Sequence, residues 1–476
     1  MSKKDKDKIR VRFVGQNSHE VTGSCIHIQA ESKQILLECG LYQSCQSPLV
    51  SYKANTSDLG FKPRDIDIIY TNHCHIDHIG KLPYLFKKGC QAEIISPAGS
   101  STIAKLLLLD SAHIAEKDAE FIAKRTKKPC EPLYDADDVE TTMSHWTEYP
   151  FNEVIDLGEG LAFRFVPSGH ILNSAQLELW ITQGNLTKKI VYTSDLGNIS
   201  VEKYYIEPFQ PIEQCNLLIG ETTYADKSRT ITKKDREKDL EKIKSVILDK
   251  CVDKRGKVLF PVFANDRCQN VLTVLAKLFA DDESFNIPIL VDSPMAVKIS
   301  KAYLDLLPSD QLELYEKVFN WENVKFISDY TDSKAWQSSH EPAVILSCSG
   351  MLQQGRSVLW TRLLLPNSRN HILFVGFSPE GSLAAKIKEG KQKTITIEQK
   401  SVANRCGITS LSSFSSHAQH DSLLDYYSNV NCEKVALVHG DYDTKCGFAR
   451  ELQDAISAKN RTGKVICVNK STEILL

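Results

Sequence analysis

Apolar and polar positions alternate with a period of two at the start of the chain. In Ile9–Gly15 (IRVRFVG) charged and apolar residues take turns, the pattern of a strand with one face in a core and one in water. SCIHIQ (24–29) and QILLEC (34–39) follow after short polar turns and predict consecutive antiparallel strands. DIIYTN (67–72) predicts a strand that ends at a His-rich loop. LAFRFVPS, AQLELWI, KKIVYTSD and NLLIGE predict further strands ending in polar residues, with helical spacing between, as in Thr102–Ala112. After about Asp226 the pattern changes. Lys234–Lys250 predicts a charged amphipathic helix with Leu240, Ile243 and Ile247 on one face. The runs KVLFPVF, IPILVDS, AVILSCS and HILFVGF are continuously apolar and separated by helical segments, which predicts a parallel sheet covered on both faces. The last stretch returns to short strands and helices, including KVALVHG and KVICVN. The chain has no internal repeat and no low-complexity segment.

Composition narrows this picture. A chain of 476 residues accommodates roughly two to four domains and a sizeable core, which excludes a small disulfide-stapled scaffold. Lys plus Arg number 58 and Asp plus Glu 60, a net charge of −2 that excludes a highly basic nucleic-acid coat but leaves room for a local basic surface. Residues 226–414 hold 28 Lys and Arg against 23 Asp and Glu, a balance of +5. No apolar run reaches the ~18–20 residues that span a bilayer, and the charged start MSKKDKDKIRVRF lacks the apolar stretch of a secretory signal. None of the 14 cysteines forms a Cys-x-x-Cys pair, and many sit in apolar runs, such as Cys39 and Cys348. They read as reduced, buried thiols, and hence as a cytoplasmic protein with no membrane partner.

The densest chemistry is His73-Cys74-His75-Ile76-Asp77-His78. Four potential metal ligands occupy six positions at a strand end. Imidazole and carboxylate together suit zinc and similar divalent ions. In a turn, His73 and His75 can face one way and Asp77 and His78 another, which serves two adjacent metals.

HxHxDH at a strand end resembles the signature of the metallo-β-lactamase fold, and the other motifs follow in order. EVTGSC (20–25) and ILLECG (35–40) resemble its opening hairpin; SGH (168–170) and TSDLG (193–197) supply one more His and a strand-end Asp. ETTYAD (221–226), SFSSHA (413–418) and LVHG (437–440) resemble the three additional motifs of the β-CASP nuclease branch, related to cleavage and polyadenylation factors. The resemblance implies an α/β fold: a metallo-β-lactamase αββα sandwich from residues 1–225 and 415–476, interrupted by an inserted α/β β-CASP domain at 226–414, with the active site in the cleft between them. It implies that His73, His75 and His170 hold one metal, that Asp77, His78 and His439 hold a second, and that Asp195 bridges both. The cofactors expected are two Zn²⁺, with Mn²⁺ as the alternative. Asp77, Glu221 and His417 are the expected catalytic residues; in this family the His417–Glu221 pair is associated with protonation of the leaving group.

The chain departs from the family pattern at four places. Glu38 stands where Asp usually supports the His loop, Ser194 where Gly is more common, Gln419 where Asp is common, and FANDR (263–267) lacks a frequent Gly. None removes a direct ligand. Within the insert, FANDRCQ, VDSPMA, SCSGMLQQGR and FVGFSPEGSL resemble strand-end loops of the β-CASP domain. Ser349, Gly350 and Arg356, with Lys386, Lys388, Lys391 and Lys393 of KIKEGKQK, are the candidate RNA-phosphate contacts; a solvated helix end is the plainer reading of the lysines. The whole implies a metal-dependent ribonuclease acting endonucleolytically on single-stranded RNA. A DNA-directed nuclease of the same branch and a 5′–3′ exoribonuclease are the alternatives. A homodimer or RNA-processing partner proteins are compatible with the motifs.

Overall fold

The computed structural model describes residues 8–31, 33–44, 46–199, 204–226, 230–376, 378 and 381–476. The N-terminal residues 1–7, Cys45, and Phe377, Pro379 and Glu380 of FVGFSPEGSL lie outside them. The chain divides into two compact units: one holds residues 1–199, 206–230 and 416–476, the other 200–205 and 231–415.

The first unit is built on two seven-stranded sheets. One runs Glu473–Leu475, Arg10–Phe13, Ile26–Gln29, Gln34–Leu37, Ile68–Tyr70, Glu93–Pro97 and Trp146–Tyr149 in spatial order. The other runs Lys464–Cys467, Asn431–Val438, Gln214–Glu221, Leu186–Tyr192, Ala175–Gln183, Leu161–Pro167 and Ile155–Gly158. The alternation of the opening strand is realised, with Val11 and Phe13 buried and Arg10 and Arg12 partly exposed. Those apolar positions join Ile26, Ile28, Ile35, Leu37 and Tyr70 from the first sheet. Phe163, Phe165, Leu177, Ile190, Tyr192, Ile219 and Val438 meet them from the second. One continuous core therefore holds the two sheets face to face, and burying each large side chain contributes about 1.5–3 kcal/mol. The back of the second sheet is covered by the helices His420–Asn429 and Tyr442–Ala458 through Leu423, Tyr427, Phe448 and Leu452. The helices Leu82–Lys87, Ser100–Thr126 and Ala136–Met143 belong to the first sheet's side. This is the αββα sandwich expected.

The second unit carries a six-stranded sheet in the order Val324–Ile327, Ile289–Asp292, Ala343–Ser347, Lys257–Pro261, His371–Phe374 and Gly407–Ser410. Every pairing in it is parallel, and its central strands are buried throughout, as continuous apolar runs require. The amphipathic helix spans Lys233–Ile247 and passes into a wider turn over Leu248–Asp253, so it ends a little earlier than its periodicity predicts. Asp292, at a strand end, is fully buried and receives three donors: Trp360 Nε1 at 2.7 Å, Ser333 Oγ at 2.6 Å and Arg356 Nη1 at 2.6 Å.

One expectation about the cysteines is corrected. Cys446 and Cys467 form a disulfide between the helix Tyr442–Ala458 and the neighbouring strand, with Cα atoms 5.6 Å apart. The two lie 21 residues apart and the helix–strand packing brings them together, which a search for close spacing does not reveal. The other described cysteines are free and mostly buried. No described helix is long and apolar enough to cross a membrane.

The triad on Asp292 gives a stability prediction. Trp360→Phe keeps the packing of the buried ring but removes one donor from a buried carboxylate. It should destabilise the second unit by about 1–3 kcal/mol, read from the denaturant midpoint of its unfolding transition.

Candidate active site

Apart from the segment that carries His417, every element of the site follows a strand end in the first unit. In the first sheet, Gln34–Leu37 delivers Glu38 and Ile68–Tyr70 delivers the His loop. In the second, Leu161–Pro167 leads to His170, Leu186–Tyr192 to Asp195, Gln214–Glu221 ends on Glu221, and Asn431–Val438 leads to His439. The last three strands are parallel neighbours, so their carboxyl ends gather at one edge. Loops at such an edge converge on a common point.

Two glycines let the loops pack this tightly. A Cβ on Gly40 would stand 1.6 Å from the carbonyl oxygen of Asp77, and one on Gly197 would stand 1.8 Å from that of Gly169. The segment carrying His417 is stitched to the Asp195 loop by Ala418 N–H donating to Leu196 O (2.8 Å) and Asn198 N–H to Ser416 O (3.0 Å).

Asp195 is the centre. Its Oδ2 lies 3.5 Å from His73 Nε2, 3.5 Å from His170 Nε2 and 3.4 Å from His78 Nε2. Its Oδ1 lies 3.5 Å from His439 Nδ1. His75 Nδ1 is 3.1 Å from His170 Nε2. Asp77 Oδ2 is 3.7 Å from His78 Nε2 and 3.5 Å from His439 Nε2. The donors thus fall into two groups whose atoms lie within 4.8 Å of one another: His73, His75, His170 and Asp195, and Asp77, His78 and His439. All seven residues named from the sequence are brought together.

The donor set fits divalent cations. Nε2 of His73, His78 and His439 and Oδ1 of Asp195 are buried and make no hydrogen bond. Each such group left unmet carries a desolvation penalty of about 1–3 kcal/mol, and these four converge rather than scatter. Burial pushes the imidazoles of His73, His75 and His170 down, with neighbouring imidazoles adding to it, which favours the neutral, ligating form. Burial opposes ionisation of Asp195 and Asp77 as well. The surrounding histidines outweigh it and hold both carboxyls well below the usual range. For His78 burial is likewise outweighed, by Glu38, Asp195 and Asp77, and its imidazole is raised.

Glu221 and His417 meet beside this cluster. Glu221 Oε1 accepts the Leu196 N–H at 2.8 Å and stands 3.3 Å from His417 Nδ1. Its Oε2 accepts the Thr223 N–H at 3.0 Å. His417 Nδ1 is also 3.9 Å from Asp195 Oδ2, and its ring lies 5.5 Å from that of Tyr224.

Glu38 sits under the loop, buried, and accepts Ser24 Oγ (2.6 Å), Tyr192 OH (2.6 Å), Ser194 Oγ (2.7 Å) and His78 Nδ1 (2.6 Å). Ser24, Tyr192 and Thr223, whose Oγ1 is 3.0 Å from His439 Nδ1, were not singled out from the sequence. Tyr192 carried a usable signal. It falls on the core face of its strand with Ile190, and a buried phenol needs a hydrogen-bond partner.

The candidate phosphate contacts belong to the second unit. Arg356 is engaged within its own unit. Its guanidinium donates to Asp292 Oδ1, Ile327 O and Ser328 O (2.6, 3.1 and 2.6 Å). Lys388 Nζ donates to Gly376 O at 2.7 Å and lies over the Phe374 ring. Ser349 and Gly350 form the turn after Ala343–Ser347, with Ser349 Oγ donating to Gln354 O at 3.3 Å. Lys386, Lys391 and Lys393 are exposed, on and just beyond the short helix Leu383–Glu389.

Comparison with known proteins adds to the geometry. Residues 268–387 match the model of the Beta-Casp domain, and residues 401–462 that of the Zn-dependent metallo-hydrolase RNA specificity domain. The chain is 29% identical over 431 residues to Ribonuclease TTHA0252 of Thermus thermophilus, spanning 89% of this chain and 91% of that protein. It is 27% identical over 454 residues to the transcription termination factor FttA of Methanocaldococcus jannaschii, spanning 92% of this chain and 68% of the relative. A crystal structure of a protein of unknown function from Enterococcus faecalis V583 shares the fold, with a TM-score of 0.51, 12% identity and coverage of 98% of this chain and 100% of that one.

The closeness of Gly40 to the His loop yields a prediction. Gly40→Ala must displace the backbone of Asp77. It should lower stability by ~1–3 kcal/mol, as overpacking does, and weaken uptake of a divalent cation, checked by thermal unfolding with and without the added cation.

Proposed function

From the premise that this chain is a metallo-β-lactamase-fold protein with an inserted β-CASP domain, we propose that it is a metal-dependent ribonuclease that holds two divalent cations, zinc in preference to manganese, and cuts single-stranded RNA endonucleolytically. The observation that carries the reading is the convergence of two donor groups on Asp195, with the His417–Glu221 pair beside them. The RNA-specificity domain matched at 401–462 and the ribonuclease named among its relatives support the choice of substrate.

His73, His75 and His170 would hold one cation, Asp77, His78 and His439 the other, and Asp195, whose Oδ2 lies near His73, His170 and His78 and whose Oδ1 lies near His439, would serve both. Cations bound there supply Lewis acidity toward a phosphodiester and make water a nucleophile near neutral pH. The chain's own residues do the rest. Glu221 is fixed by two backbone N–H donors, so it cannot swing away from His417. It thereby orients the imidazole with Nδ1–H toward the carboxylate. Nε2 is then the atom left for the departing 3′ oxygen, to which the imidazolium would pass its Nε2 proton, leaving the neutral Nδ1–H ring. Asp77 and Asp195, held ionised, balance the positive charge. The exposed lysines 386, 391 and 393, in a segment with a +5 balance, are the proposed contacts to the RNA backbone.

The central test joins metal content to product mapping. Protein purified without chelator should carry about two zinc equivalents. It should cut end-labelled single-stranded RNA internally, and Asp195→Ala should lose both properties. Terminal mononucleotides would instead establish exonuclease action, and cleavage confined to DNA would overturn the substrate. In the same assay His417→Ala should keep its zinc and lose ~10²–10⁴-fold in turnover, with recovery on a substrate bearing a better leaving group. Loss of a metal in that variant would reassign the residue.

A second measurement addresses binding. Affinity for single-stranded RNA should fall steeply with salt, and each phosphate contact contributes about 0.7 to the log–log slope. Replacing Lys386, Lys391 and Lys393 together with Ala should flatten the slope by up to ~2 while zinc content stays unchanged. An unaltered slope would leave these lysines a role in solvation only.

A further inference from the structure

Glu38 and Ser194 are two places where the chain departs from its family's pattern, and the structure sets them against each other. Both are buried, and both hold a left-handed backbone, with φ of 62° at Glu38 and 48° at Ser194. That region strains any residue with a Cβ, and a glycine would occupy either position more easily. Strain of this kind persists where the side chain has a task that the surroundings enforce. Here the two side chains meet: Ser194 Oγ donates to Glu38 Oε1 at 2.7 Å, and the same oxygen lies 3.1 Å from His73 Nδ1.

The proton count fixes the direction of these bonds. A hydroxyl has one hydrogen, and that of Ser194 goes to the carboxylate, so its oxygen accepts from His73 Nδ1–H. Glu38 cannot serve His73 itself, since the nearest approach is 3.8 Å, beyond hydrogen-bond distance. It does serve His78 directly, with Nδ1–H donating to Oε2 at 2.6 Å. Both rings therefore carry their proton on Nδ1 and turn Nε2 toward Asp195, at 3.5 and 3.4 Å. His73 belongs to one donor group and His78 to the other.

We propose that Ser194 is a positioning residue that relays Glu38 to His73, so that one buried carboxylate orients one imidazole in each of the two donor groups. Ser24 and Tyr192, donating to the other oxygen of Glu38, hold the carboxylate in place for both tasks. The inference rests on the two-cation reading given above and adds to it that the two sites share an outer ligand. Removing the carboxylate disturbs both sites, whereas removing the serine hydroxyl disturbs only the one that contains His73.

The test is a zinc titration of metal-stripped, full-length protein against a chromophoric chelator, with thermal unfolding of each metal-free variant. Ser194→Gly removes the hydroxyl and relieves the strain. Its metal-free midpoint should match or exceed that of the wild type, while one zinc equivalent weakens by ~10–100-fold and the other holds. Glu38→Gln should weaken both. In the double variant the equivalent assigned to His73 should be no weaker than in Glu38→Gln alone, because the relay already lacks its anchor. Equal affinities in Ser194→Gly and wild type, or an equal loss at both sites, would overturn the relay. A wild type that binds no zinc would instead overturn the two-cation reading. If Glu38→Gln does not fold, the glycine variant decides alone.

Discussion

The site depends on keeping Asp195 ionised while it is buried. A carboxylate out of water is expensive unless charge or hydrogen bonds surround it, and here four imidazoles lie within about one contact distance of its two oxygens. Those imidazoles come from three separate segments of the chain, the loop of His73 and His78 and those of His170 and His439. The fold's task is therefore to bring distant strand ends to one point and hold them there. The shared apolar core between the two sheets does this: Tyr70, Tyr192, Ile219 and Val438 pack in it and stand within three residues of His73, Asp195, Glu221 and His439 respectively. The same side chains that stabilise the sandwich fix the register of the donors.

Tight convergence has a backbone consequence. Chains that turn sharply out of a strand to expose a side chain at its end adopt conformations that ordinary residues avoid, and His439, Ser194 and Glu38 all have positive φ. Where no side chain is needed the sequence places glycine, as at Gly40 and Gly197, whose neighbours leave no room for a Cβ. Left-handed backbone and close approach thus meet at this centre, although each also occurs in turns elsewhere in the chain.

Much of this was legible in the residues. His73, His75, Asp77 and His78 are adjacent in sequence, so their spacing alone signals metal binding, and the strand ends that carry His170, Asp195, Glu221 and His439 show as apolar runs broken by polar residues. The parallel sheet of the second unit was equally plain, because its strands are apolar on both faces. What could not be read depends on contacts between distant segments. Arg356 is engaged by a buried aspartate 64 residues away. Cys446 meets Cys467 only because a helix folds back along its strand. The cluster on Glu38 draws on Ser24 and Tyr192, separated by 168 positions. No local pattern encodes such pairs.

The interruption of the first unit has a consequence for biosynthesis. His417 and Glu221 are 196 positions apart, and the strand Asn431–Val438 inserts between Gln214–Glu221 and Lys464–Cys467. At ~5–20 residues per second a ribosome needs about 10–40 s to travel from one member of the pair to the other. During that interval the second sheet ends at Gln214–Glu221 with an open edge, and neither His417 nor His439 exists. A growing chain surrounded by RNA, its own message included, thus lacks part of the proposed centre until the segment from residue 416 onward has been made and has taken its place in the sheet. With the roles proposed for His417 and His439, the order of the segments would act as a timer that delays activity until synthesis has moved well past most of the donors.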